Sequence, residues 1–174
     1  TSHVAAADAR MAALIDAVGP CTLSARRGRY AALVRAIVGQ QVSTAAARTI
    51  YGRLATAAGG RIAVGAIAAL DDATLRGAGL SGQKVSYVRD LTERVVSGDL
   101  NLQRLCALDD EAVIAELTRV RGVGRWTAEM FLIFYMMRPD VLPLGDIGVQ
   151  RAMSLHYNHG KPLSGRKIDV ISKR

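Results

Sequence analysis

The chain has 174 residues, half of them apolar and 22% charged, with a mean hydropathy of +0.17; this supports one packed core and excludes both a disordered segment and a multi-domain assembly. Lysine and arginine total 23 against 15 acidic residues, a net charge of +8 with a pI near 10.1, so a polyanionic partner is expected, nucleic acid ahead of an anionic membrane surface. Only Cys21 and Cys106 are present, which excludes a disulfide scaffold and a four-cysteine metal site; no apolar run approaches the roughly 18 residues of a membrane span, and the start lacks the blocks of a signal peptide, so a cytoplasmic protein is expected.

The apolar periodicity is helical in almost every segment. Residues 5–18 form an amphipathic helix stopped by Gly19-Pro20, and residues 30–38 form a second, strongly apolar one. Ser43 caps a third helix, which passes Ala47 and Tyr51 and ends near Ala58 at Gly59-Gly60. Asp71 and Asp109 cap short helices, Ser81 caps a longer one through Leu91 and Val95, and residues 127–137 are apolar nearly all round, as expected of a central helix. No stretch alternates long enough to build a sheet, so the fold class is all-α. The whole chain, 1–174, is expected to form a single compact helical unit. His3, His156 and His159 lack metal-ligand spacing, and Met136-Met137 reads as core filling.

A faint repeat runs through the middle. Asp71-Asp72-Ala73 leads to Arg76-Gly77-Ala78-Gly79 and a helix; Asp109-Asp110-Glu111 leads to Arg121-Gly122-Val123-Gly124 and another. In the second hairpin the glycines let backbone approach a ligand closely, and the first amides of the following helix add partial positive charge to Arg121 and Arg125. That combination suits a phosphate and grips backbone, not sequence.

With these stretches the sequence resembles the helix-hairpin-helix (HhH-GPD) DNA glycosylases, and within them the alkylpurine, 3-methyladenine type II branch. The matching blocks are 33–43 with Gly39-Gln40-Gln41, Gly79-Leu80-Ser81 with Lys84, 121–128, and Pro143-Leu144-Gly145-Asp146-Ile147-Gly148, together covering about 30–157, with the helix-hairpin-helix at about 109–137. Two departures stand out. Arg121 occupies a position where the family hairpin usually has proline, and the protein is expected to be without the β-rich N-terminal domain and the C-terminal segment of some longer relatives.

The resemblance implies a two-lobed fold with the active site in the cleft between lobes, and a monomer acting in the nucleoid on double-stranded DNA with damaged bases. Asp146 matches the essential aspartate, which would steady an oxocarbenium-like sugar; an aspartate at a loop-to-helix junction is also a common cap, and the two roles coexist. A purine methylated on a ring nitrogen is cationic and leaves without a general acid, so one carboxylate suffices. Trp126 stands where strand-nicking relatives carry a lysine nucleophile, which an indole cannot replace, so a monofunctional enzyme is expected.

Gln41 matches the inserted wedge and Leu80 is expected to press on the opposite strand. Gly122, Gly124, Arg125, Thr127 and Lys84 are expected at phosphates, chiefly through hairpin backbone. Trp126, Tyr30 and Met130 are candidates for the lesion pocket. No cofactor is required, although the carbonyls of Thr118, Val120 and Val123 match those that hold a monovalent cation, K+ or Na+, in relatives. Three other readings stay open: a non-catalytic helix-hairpin-helix module, a glycosylase for deaminated, etheno or other alkylated bases, and a binder of anionic membranes or acidic proteins.

Overall fold

A computed structural model describes residues 2–24 and 28–172 of the chain. Thr1 and Arg174, from which the expectations about the chain's ends were read, lie outside the described residues. Among those described, every regular element is helical, in agreement with the all-α expectation. The backbone divides into two units, Ala25–Pro139 and a second built from both chain ends, Thr1–Ser24 with Asp140–Arg174.

The larger unit holds the core. Helix α3 (Arg29–Gly39) buries Tyr30, Ala32, Leu33, Val34, Ile37 and Val38, so little of it reaches solvent. Helix α4 (Thr44–Ala57), capped by the Ser43 hydroxyl on the Ala46 amide at 3.2 Å, buries only Leu54 and is an outer helix. The Arg35 guanidinium lies 3.8 Å from the centre of the Tyr51 ring and ties α4 to α3. Short α5 (Val64–Ala68) and α6 (Asp72–Gly77) lead into α7 (Gly82–Ser97), which packs on α3, α5 and α6 through a stripe of Val85, Val88, Leu91 and Thr92. A 3-10 turn (Arg104–Ala107) precedes α8 (Asp110–Thr118), and α9 (Arg125–Phe134) packs on α8 and α3. Leu33, Ile37, Leu54, Leu91, Leu117 and Leu132 are all at 0% exposure, each contributing about 1.5–3 kcal/mol of burial.

The smaller unit comprises α1 (Ser2–Ala7), α2 (Ala9–Val18), α10 (Ile147–Tyr157) and α11 (Gly165–Ser172). The single helix expected over 5–18 is instead two. Asp8 adopts an extended backbone, φ −145° and ψ 119°, and turns its carboxylate onto the amides of Arg10 and Met11, so the second helix starts afresh with its own cap. The helix expected over 127–137 starts at Arg125 and stops at Phe134. Met137 has φ +56° and is 37% exposed, so it ends a helix and does not fill the core as expected.

Candidate active site and nucleic-acid interface

The second glycine hairpin is built from buried apolar residues and one tight turn. Val120 and Val123 are 1% and 4% exposed, the Val123 amide donates to the Val120 carbonyl at 3.0 Å, and Gly122 between them has φ +76°. A Cβ on Gly122 would lie 2.1 Å from the Tyr87 ring, so the ring's approach requires glycine there. Gly124 caps α9 with no side chain, and a Cβ there would meet nothing within 4 Å. The first amides of α9 are left approachable, which is the arrangement a phosphate needs.

The arginines of this hairpin are engaged by carboxylates of the protein itself. The Arg125 guanidinium donates to both Glu111 oxygens and, at 3.0 Å, to Glu129, a carboxylate in a residue only 6% exposed. Thr127 is 6% exposed, so its side chain belongs to the core instead of the surface where a phosphate would need it. Arg121 uses the amide that a proline would lack: its N–H donates to Asp90 at 2.9 Å, with the guanidinium 3.9 Å from the same carboxylate. Partial burial works to raise the Asp90 carboxyl, but the Arg121 amide and Arg94 outweigh it and hold it below the usual value.

The turn between α3 and α4 carries the expected wedge. Gln41 is exposed and held at φ +54°, a conformation strained for a residue with a side chain. Two residues fix it. Gln40 Nε2 donates to the Gly122 carbonyl at 2.6 Å, and Lys84 Nζ donates to the carbonyls of Val38 and Gln40, both at 2.7 Å. Lys84 therefore neutralises the end of α3 and is not presented to a phosphate as expected; desolvation holds its ammonium below the usual value. Gln40 was overlooked because its role depends on a partner 82 positions away. Leu80, expected on the opposite strand, is 4% exposed and packs in the core.

Of the three pocket candidates, Trp126 is 48% exposed in the first turn of α9, with half-buried Met130 four residues on and so on the same helix face. Tyr30 is a core residue instead, at 7% exposure. The Thr92 hydroxyl donates to Val88, so the Tyr30 phenol donates to Thr92 at 2.7 Å, and burial pushes it up to about 12.

Asp146 lies in the smaller unit, at the end of a turn in which its own amide donates to the Pro143 carbonyl at 2.9 Å and Gln150 Nε2 donates to Leu144. Its Oδ1 accepts from the Val149 amide at 2.9 Å, capping α10. A Cβ on Gly148 would stand 3.0 Å from that oxygen, so Gly148 is what leaves the carboxylate its place. This second glycine requirement has a sequence signal, the Gly-Asp-Ile-Gly spacing, but only the geometry explains it.

Comparison with known proteins identifies the family. The family model described as HhH-GPD superfamily base excision DNA repair protein matches residues 34–169. A DNA-3-methyladenine glycosylase of Schizosaccharomyces pombe is 29% identical over 175 residues, covering 97% of this chain and 76% of that protein. The crystal structure of a DNA-3-methyladenine glycosidase from Bacillus halodurans superimposes with a TM-score of 0.88 at 36% identity, over 97% of this chain and 78% of that one. A 3-methyladenine DNA glycosylase from Schizosaccharomyces pombe, solved in complex with abasic DNA, gives 0.81 at 27% identity, over 95% and 84%. The family model spans most of the chain, and the chain therefore belongs to the HhH-GPD superfamily of base excision DNA repair proteins.

Proposed function

We propose that this DNA glycosylase everts alkylated purines of the N3-methyladenine and N7-methylguanine type from duplex DNA and hydrolyses their glycosidic bond, as a monomer on the nucleoid and without cutting the strand. In the reaction the C1′–N bond breaks with its electron pair going to the base, which neutralises the cationic purine. Water oxygen bonds to C1′, and the water's proton leaves to solvent. The positive charge that develops on the sugar is steadied by the Asp146 carboxylate, whose orientation the Val149 amide holds. No acid is needed at the departing base because it is already charged.

The observation that carries the reading is Trp126. An indole 48% exposed at the first turn of α9 supplies an electron-rich face for a cationic base, and it occupies the position at which a lysine would be required for strand cleavage. The names of the relatives as 3-methyladenine glycosylases support the same substrate class. Gln41, pre-set by Gln40 and Lys84, fills the gap left by the everted nucleotide.

A monovalent cation fits the hairpin. Helix α8 ends at Thr118, so its last carbonyls point out of the helix, and Val120 retains a lone pair beyond the one taken by Val123. The carbonyls of Thr118, Val120 and Val123 would hold K+ or Na+, whose charge attracts a backbone phosphate.

Duplexes carrying N3-methyladenine, N7-methylguanine, hypoxanthine or ethenoadenine test the proposal side by side. Release of the two methylated purines is expected, with borohydride trapping no covalent adduct and Asp146→Asn slowing single-turnover release about 100-fold or more. Release confined to hypoxanthine or ethenoadenine, or a trapped adduct, would overturn it.

A further inference from the structure

The net charge of +8 is unevenly placed. Between Asp16 and Asp71 the sequence holds seven arginines and no carboxylate, whereas from Asp71 to Pro139, the segment containing both hairpins, nine basic residues face ten acidic ones. The hairpin that grips backbone is therefore not where the positive charge lies. Arg48 and Arg53 of the acid-free segment stand exposed on α4, and among the described residues neither forms an ion pair.

These two arginines flank an open groove of about 690 Å³ whose floor is small: Thr49 and Gly52 of α4, with Gly77 and Ala78 of the first glycine hairpin as the far wall. The hairpin is seated there by Gly79, at φ +108°, where a Cβ would lie 3.1 Å from Ile50 of α4. The nearest carboxylate in sequence, Asp71, is occupied in capping α6 on the Thr74 amide at 2.8 Å. Arg48 and Arg53 are five residues apart, about 7.5 Å along the helix, far enough to meet separate phosphates. Arg48 follows the Ser43 cap, and so the Gln41 turn, by about 7.5 Å of helix.

We infer that the groove between α4 and the first glycine hairpin is a second backbone-binding surface for duplex DNA, in which Arg48 and Arg53 each neutralise a phosphate beyond those held by the second hairpin. The inference rests on the reading of the chain as acting on DNA. The exposed groove gives a purpose to the first half of the internal repeat, which the catalytic reading leaves unused. Its continuity with the Gln41 turn selects DNA over a membrane or an acidic protein: a duplex engaged at the start of α4 runs its phosphates past the rest of the helix.

The measurement is affinity for an undamaged duplex against salt concentration. Each lost phosphate contact lowers the slope of log K against log salt by about 0.9, so Arg48→Ala with Arg53→Ala lowers it by about 1.8, and Arg48→Lys with Arg53→Lys restores it. Arg104→Ala, which removes an exposed charge from the 3-10 turn, leaves the slope unchanged. Thermal unfolding of the double alanine variant shows that the fold is intact. An unchanged slope in the double variant, an equal loss in Arg104→Ala, or a loss seen on phosphatidylserine vesicles but not on DNA overturns the groove. A wild-type protein with no salt-dependent DNA binding at all would instead remove the DNA reading on which the groove rests.

Discussion

Arginine is used in opposite ways in two stretches of the same unit. From Asp71 onward most of the arginines are paired with carboxylates: Arg89 with Asp72, Arg94 with Asp90 and Asp99, Arg119 with Asp99 and Glu116, Arg125 with Glu111 and Glu129. Between Asp16 and Asp71 the sequence holds no carboxylate, and Arg48 and Arg53 face solvent. A charge count alone makes these groups equivalent. The structure separates arginines paired with carboxylates around the hairpin from arginines left exposed without an ion pair among the described residues.

The sharpest test of that division is steric. Gly122→Ala puts a methyl against the Tyr87 ring in a backbone at φ +76°, and the expected cost is about 3 kcal/mol or more, read from urea unfolding. Next comes Arg125→Ala, which strands the buried Glu129 carboxylate; because Arg125 is itself more than half exposed, about 1–2 kcal/mol is expected, against less than about 0.5 for Arg48→Ala. Equal losses from the two would erase the distinction.

Acid titration separates the stretches further. Arg119 holds the Asp99 carboxyl below its usual value, Arg125 does the same for Glu111, and Asp90 is lowered against the opposing effect of its burial. Each has a folded pKa below its unfolded one. The stability they contribute is present above the unfolded value, about pH 4, and is lost as pH falls through the folded value. A falling unfolding midpoint below about pH 4 is expected, with Asp99→Asn and Glu111→Gln flattening it. The smallest effect concerns Gln41. Gln41→Gly relieves the positive φ and should leave stability equal or higher by up to about 1 kcal/mol, while excision from duplex falls more than excision from single strands. Equal losses on both substrates would argue against a wedge.

Caps were the most legible part of the fold. Ser43, Asp71, Ser81, Asp109 and Asp146 each accept the amide three residues on, a signal contained in a few neighbouring residues. Asp8 has the same chemistry but was hidden inside an apolar pattern that continued past it. The hairpin glycines stand out by their spacing between two helices, whereas Gln41 and Asp146 are singled out only by the resemblance to the glycosylase family. Leu80, Lys84 and Tyr30 were not placed correctly, because burial and a partner many positions distant decide their roles: Val38 and Gln40 for Lys84, Thr92 for Tyr30. Nothing local distinguishes a lysine that holds a helix end from one that reaches outward.

The bond from the Gln40 amide to the Gly122 carbonyl joins two loops that the chain writes some 80 positions apart. With Lys84 bolting the same corner, the hairpin and the Gln41 turn become one casting. On the proposed function, a duplex that settled on the hairpin would meet Gln41 at a set spacing, so that inspecting a nucleotide would take one landing, with no second alignment to wait for.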